Sequence, residues 1–62
     1  MTLRWLVTKI APHVQIIMIK DGCTDPSTFK HMTGYEANRE YIGSTAEVKD
    51  FRFDNNILII TI

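Results

Sequence analysis

The chain has one cysteine, two prolines, three glycines and one tryptophan in 62 residues, and seven basic residues balance seven acidic ones. Each shortage excludes something. A single cysteine rules out a disulfide within the chain. Zero formal net charge argues against a strong electrostatic footprint for nucleic acid or an anionic membrane. Cys23, His13 and His31 form no close pair of the C-x2-C or H-x3-H kind, so no zinc signature is present. The stretch "DGCTDPSTF" holds one glycine, whereas a phosphate-cradling loop needs several before a helix, usually with a lysine. No apolar run approaches the ~20 residues that span a bilayer. "MTLRWLVTKIA" is interrupted by Arg4 and Lys9 and closed by Pro12, unlike a signal peptide. A lone cysteine and no export signal fit the cytoplasm.

Catalysis fares no better. Cys23 with a histidine and Asp21 or Asp25 has the composition of a nucleophile, base and orienter, but no local signature accompanies it. A chain this short also has little room to enclose a substrate pocket of several hundred cubic ångströms. The residues therefore imply no enzyme, no metal and no cofactor.

What is present is a small core. Hydrophobic residues make up 45% of the chain, too many for disorder, and the length allows a single domain over residues 1–62. Leu3, Leu6, Val7 and Ile10 follow Thr2 at the spacing of one helical face, which predicts a helix over residues 3–11, ended by Pro12. Val14 to Lys20, before Asp21-Gly22, reads as a strand apolar on both faces. Val14, Ile16 and Met18 face one way; Gln15, Ile17 and Ile19 face the other. A short strand is expected at Thr28 to His31, at a sheet edge because Pro26 is near. "TGYE" at Thr33 to Glu36 matches the capping box and predicts a helix over Gly34 to Tyr41. Gly43 is its stop, and Ala37, Tyr41 and Ile42 its buried residues. "EVKDFRF", "DNN" and "ILIITI" read as a hairpin.

The resulting expectation is an α+β domain, in the order α-β-β-α-β-β. Its small, mostly antiparallel sheet of three to four strands carries two short helices on one face. With a two-residue loop, Phe51 and Phe53 share a face with Leu58, Ile60 and Ile62. The expected core is Phe51, Phe53, Leu58 and Ile60 with Leu6, Ile10, and Val14 or Ile16. Ile57, Ile59 and Thr61 then turn away from the helices. On that side the first strand offers Ile17 and Ile19, or else Val14, Ile16 and Met18. Such a patch is large for a monomer, and a second copy is the economical partner. A homodimer or higher oligomer is therefore expected, with another protein as a competing occupant. Trp5, two residues from Leu3 and off the main apolar face, either flanks the core or is a hot spot for a protein partner.

The opening helix ending "KIAPHVQI", the Asp21-Gly22 turn and the closing "EVKDFRFDNNILIITI" together resemble a group of very short proteins from phages and mobile elements of Gram-positive bacteria. The similarity covers most of the chain, and its motifs are turns, caps and core positions. "CTDPSTFKHMTGYEANREYIGS" departs most from the group. The resemblance implies an accessory gene of a phage or mobile element, and it names no activity. Small size, absent site chemistry and the doubly apolar strands favour an interaction protein acting on itself and on a host or phage protein. Two other functions compete with that of an interaction protein. One is nucleic-acid binding through Arg4, Lys9, Lys20, Lys30, Lys49 and Arg52, against which zero net charge weighs. The other is a nucleotide or small ligand held at a subunit interface.

Overall fold

A computed structural model describes all residues, 1–62. The elements are α1 (Leu3–Val7), β1 (Gln15–Ile19), a 3-10 turn (Pro26–Thr28), β2 (Lys30–Thr33), α2 (Gly34–Tyr41), β3 (Asp50–Asp54) and β4 (Ile57–Thr61). One four-stranded sheet has the order β2-β1-β4-β3.

Helix α1 buries Leu3, Leu6 and Val7, the face its spacing predicts. It is shorter than the expected 3–11, and Thr8 ends it before Pro12 can act. The Thr8 hydroxyl donates to the Trp5 carbonyl at 2.6 Å, and the Thr8 amide bonds the same carbonyl at 3.2 Å. A local side-chain bond of this kind competes with the helical ladder. Thr2 occupies the N-cap with extended backbone, but its side chain makes no capping bond. Its backbone instead bridges to Glu47.

The second strand starts two residues later than expected. Asp25 accepts a bond from the Ser27 amide at 3.0 Å, and its carbonyl accepts the Thr28 hydroxyl at 2.7 Å. These bonds wind Pro26–Thr28 into the 3-10 turn, so residues 30–33, not 28–31, pair with β1. The Ser27 amide also favours the charged form of the Asp25 carboxyl and holds its pKa below the ordinary carboxylate value.

Helix α2 begins where the capping box places it. Thr33 Oγ1 accepts from the Glu36 amide at 3.3 Å, and Glu36 Oε1 accepts from the Thr33 amide at 3.0 Å. Such a cap contributes about 1 kcal/mol. Gly34 carries a second constraint. Its amide bonds the Val14 carbonyl at 2.8 Å, and the Tyr35 amide bonds the Pro12 carbonyl at 3.1 Å. A Cβ on Gly34 would sit 2.1 Å from the Ala11 carbonyl oxygen. The helix is thus docked against the segment leading into β1 at a distance only glycine permits.

The sheet is mixed, which corrects the mostly antiparallel expectation at its centre. β1 pairs with β2 and β4 with β3 in antiparallel fashion, but β1 and β4 run parallel, Ile16 beside Leu58 and Ile17 beside Ile59. The reason is topological. The crossover through α2 starts β3 in the same direction as β2. Each is antiparallel to one central strand, so the two central strands must agree. Asn55 and Asn56 turn the hairpin with φ of 51° and 64°, the left-handed pair that a tight two-residue turn requires.

Both helices lie on one face of this sheet. The core is Leu3, Leu6, Val7, Ile16, Met18, Met32, Ala37, Leu58 and Ile60, with Ile10, Val14, Tyr41, Ala46, Val48 and Ile62 packed partly against it. Three expected members are missing. Phe51 and Phe53 pair with Ile60 and Leu58 and so sit on the helix side, yet they are 46% and 67% exposed. A helix rises ~1.5 Å per residue, so the five residues of α1 and eight of α2 cover β2, β1 and β4 but stop short of β3. Ile42, past the end of α2, is 59% exposed; the helix ends before its side chain can turn inward.

Two stability outcomes follow from this packing. Gly to Ala within a helix ordinarily gains about 0.5–1 kcal/mol. Gly34→Ala should reverse that sign and cost about 1–3 kcal/mol, because the backbone must move. Gly43→Ala, with no atom within 4 Å of its Cβ, should cost nothing; urea midpoints of the two variants check the contrast. In the same assay Ile60→Ala should cost about 2–5 kcal/mol through the cavity it leaves. Phe53→Ala should cost under about 1 kcal/mol, because most of its ring is already in water.

Candidate functional site

The structure leaves two apolar surfaces uncovered, one on each side of the sheet. On the helix-free side, strand alternation gathers Ile17 and Ile19 of β1 with Ile57, Ile59 and Thr61 of β4. Ile17 lies beside Ile59, Ile19 beside Thr61 and Gln15 beside Ile57. All five of the expected interaction residues on the sheet therefore share one patch, and each is half-buried by its neighbours alone. The alternative, in which Val14, Ile16 and Met18 take this side, is excluded: Ile16 and Met18 are core. Polar residues border the stripe. His31 flanks Ile17 on β2, and Asp50, Arg52 and Asp54 flank Thr61, Ile59 and Ile57 on β3.

The second surface was not foreseen. Because α1 ends at Val7, a groove of about 210 Å³ opens between it and β3, lined chiefly by Leu6, Ile10, Val14, Phe51, Phe53 and Leu58. Lys9 stands at its rim. Sequence spacing carries no signal for it, because it predicts a helix over residues 3–11; only the observed end of α1 at Val7 leaves the two phenylalanines at the sheet edge unshielded.

Trp5 belongs to neither surface. It is 51% exposed, on the outer side of α1, with the Lys9 ammonium 5.6 Å from its ring centre. It lies in the helix layer, away from the isoleucine patch. A shallow concavity on α2 is lined by Tyr35, Glu36, Arg39 and Glu40, and Arg39 stacks 5.7 Å over the Tyr35 ring. On the inner side of the sheet Lys30 bonds Glu40 and lies 5.9 Å from the Tyr41 ring. The Glu40 bond, with the nearby Tyr41, raises the Lys30 pKa above its ordinary value.

Nothing in these surfaces assembles reactive groups. Cys23, His13 and His31 are all exposed, and no three His, Cys, Asp or Glu side chains gather where they could hold a metal ion. The basic residues do not converge. Lys30 points to the helix side and Arg52 to the other, from opposite edges of the sheet. No helix is long and apolar enough to cross a membrane. No protein-family model, curated protein or solved structure matches the chain.

Acrylamide should quench Trp5 fluorescence with an efficiency between that of a free indole and that of a buried tryptophan, because about half of its surface is exposed. That efficiency should hold at every protein concentration, because Trp5 is remote from the isoleucine patch. A blue-shifted, shielded tryptophan would place Trp5 in an interface.

Proposed function

We propose that this chain is a non-catalytic interaction protein that associates with itself through the helix-free face of its sheet. We further propose that it serves as an accessory protein of a phage or mobile element, the role its resemblance implies. One observation carries the first part. Ile17, Ile19, Ile57 and Ile59 form a continuous stripe on a face that no helix covers. Large apolar side chains gathered on one open face favour association over solvation.

A second copy fits the stripe on size and charge. Strands spaced ~4.8 Å apart and rising ~3.3 Å per residue give the face about 17 × 19 Å. Each face is thus about 320 Å² in plan, so two copies face to face would bury about 650 Å² before side-chain relief is counted, toward the low end for a specific interface. Of the two in-plane two-fold axes, one across the strands would stack Arg52 on Arg52 and Asp50 on Asp54 of the second copy, placing like charges together. An axis along the strands sets β3 of one copy over β2 of the other and Ile17 over Ile59. The second arrangement is an aligned sandwich, a common way for two sheets to pack. Nucleic-acid binding is the weaker reading, because the basic residues lie on both faces and both edges. A nucleotide site is weaker still: the groove beside α1 is apolar, and the shallow concavity on α2 sets two carboxylates, Glu36 and Glu40, beside a single arginine, a poor charge balance for a phosphate.

Sedimentation at micromolar concentration tests the reading. The protein should sediment as a dimer or larger. Ile59→Asp should split the assembly or unfold it, and Asp54→Ala should do neither. A clean monomer at high micromolar concentration would overturn self-association.

A further inference from the structure

Beside the groove, the outer edge of β3 is also open, and its hydrogen-bonding pattern is fixed by the turn. In a two-residue hairpin the flanking residues, here Asp54 and Ile57, exchange both backbone bonds. Alternation then turns the backbone groups of Asp54, Arg52 and Asp50 inward to β4, and those of Phe51 and Phe53 outward. The free edge is bounded on both sides. The Lys49 amide turns in to the Thr61 carbonyl at 2.8 Å, the Val48 amide is taken by the Met1 carbonyl at 2.9 Å, and Asn55 and Asn56 form the turn. What remains is a short edge of five exposed residues, with two phenylalanines beside the apolar groove on one face and Asp50, Arg52 and Asp54 on the other.

Its sequence, Asp-Phe-Arg-Phe-Asp, reads the same in both directions, and this decides against a second copy at the edge. The antiparallel register that uses both outward residues sets Phe51 against Phe53 of the second copy. It also sets Arg52 against Arg52 and Asp50 against Asp54, and like charges directly opposite destabilise a sheet. Sliding by two residues matches the charges but runs into either the inward-turned Lys49 or the asparagine turn, leaving a single outward residue to pair. The edge is thus guarded against itself, as edge strands commonly are.

We propose that the β3 edge takes a strand of another protein by β-augmentation, and that this strand reads basic–apolar–acidic–apolar–basic. Its basic residues lie opposite Asp50 and Asp54 and its acidic residue opposite Arg52. Its apolar residues pack against Phe51 and Phe53 and close the open side of the groove. Main-chain bonds to Phe51 and Phe53 supply affinity, and the alternating side chains supply specificity. The pattern is the same read either way, so it fits both strand polarities. The main-chain groups of this edge and its two phenylalanines lie outside the isoleucine stripe, while Asp50, Arg52 and Asp54 border it; binding here does not require self-association.

The test is titration of the peptide Lys-Ile-Glu-Ile-Lys into isotope-labelled protein, followed by amide chemical shifts. The charge-inverted peptide Glu-Ile-Lys-Ile-Glu is the comparison. Saturable shifts should centre on the Phe51 and Phe53 amides, with the first peptide bound about three-fold tighter or more, as a few cross-strand charge pairs allow. The variant Asp50→Lys/Arg52→Glu/Asp54→Lys, all at exposed positions, should reverse the preference; circular dichroism confirms that it is folded. No saturation, shifts centred elsewhere, equal affinities or no reversal in the folded variant would each overturn the proposal. Sedimentation with and without peptide separates this outcome from the fate of the self-association reading.

Discussion

The fold depends on the parallel pairing of β1 with β4. These two strands carry most of the large aliphatic residues, and lying side by side they must present one set to each face. Ile16, Met18, Leu58 and Ile60 turn to the helices and complete the core. Ile17, Ile19, Ile57 and Ile59 turn away from it. Neither set can be buried by the strands alone. One is covered by α1 and α2, and the other is left for something outside the fold. The apolar end of the chain, Ile57 to Ile62, is thus the centre of the sheet and not a frayed terminus.

The second consequence is a shortage of cover. A sheet four strands wide needs more helix than five and eight residues supply. The available helix goes over β2, β1 and β4, where Gly34 lets α2 sit directly on the segment before β1. β3 is left with its phenylalanines in water, pinned to the rest only through β4. Small domains bury a limited share of their surface, and here the unburied share is not random. It is concentrated in one stripe and one groove, on opposite faces.

The two surfaces differ in chemistry, and so do the partners they suit. The stripe is wide, flat and aliphatic, with its charges at the margin, which matches a sheet of like shape. The β3 edge is narrow, presents main-chain donors and acceptors, and has charges arranged so that its own copy is repelled in the register that would bond best. A protein with both can associate with itself on one face and hold a different strand at its edge, with Asp50, Arg52 and Asp54 as the margin the two surfaces share.

Much of this was legible in the sequence, and the reasons are local. The capping box at Thr33 and Glu36, the asparagine turn, the amphipathic spacing of Leu3, Leu6 and Val7, and the alternation of β1 and β4 each act over four to eight residues. Side-chain chemistry and backbone sterics decide them before any tertiary contact forms. Parity grouped Ile57, Ile59 and Thr61, but left open which residues of β1 join them; the fold decides for Ile17 and Ile19 by burying Ile16 and Met18. Tertiary structure decided the rest. The pairing of β1 with β4, and its parallel sense, depend on which way α2 carries the chain. The exposure of Phe51 and Phe53 depends on how far α1 reaches over the sheet, and Thr8 sets that by ending the helix early. The need for glycine at residue 34 arises only when Ala11, 23 positions earlier in sequence, is brought against it. Periodicity tells which side of a strand is apolar; whether that side is covered is a matter of distance between elements, and only the folded chain fixes distance.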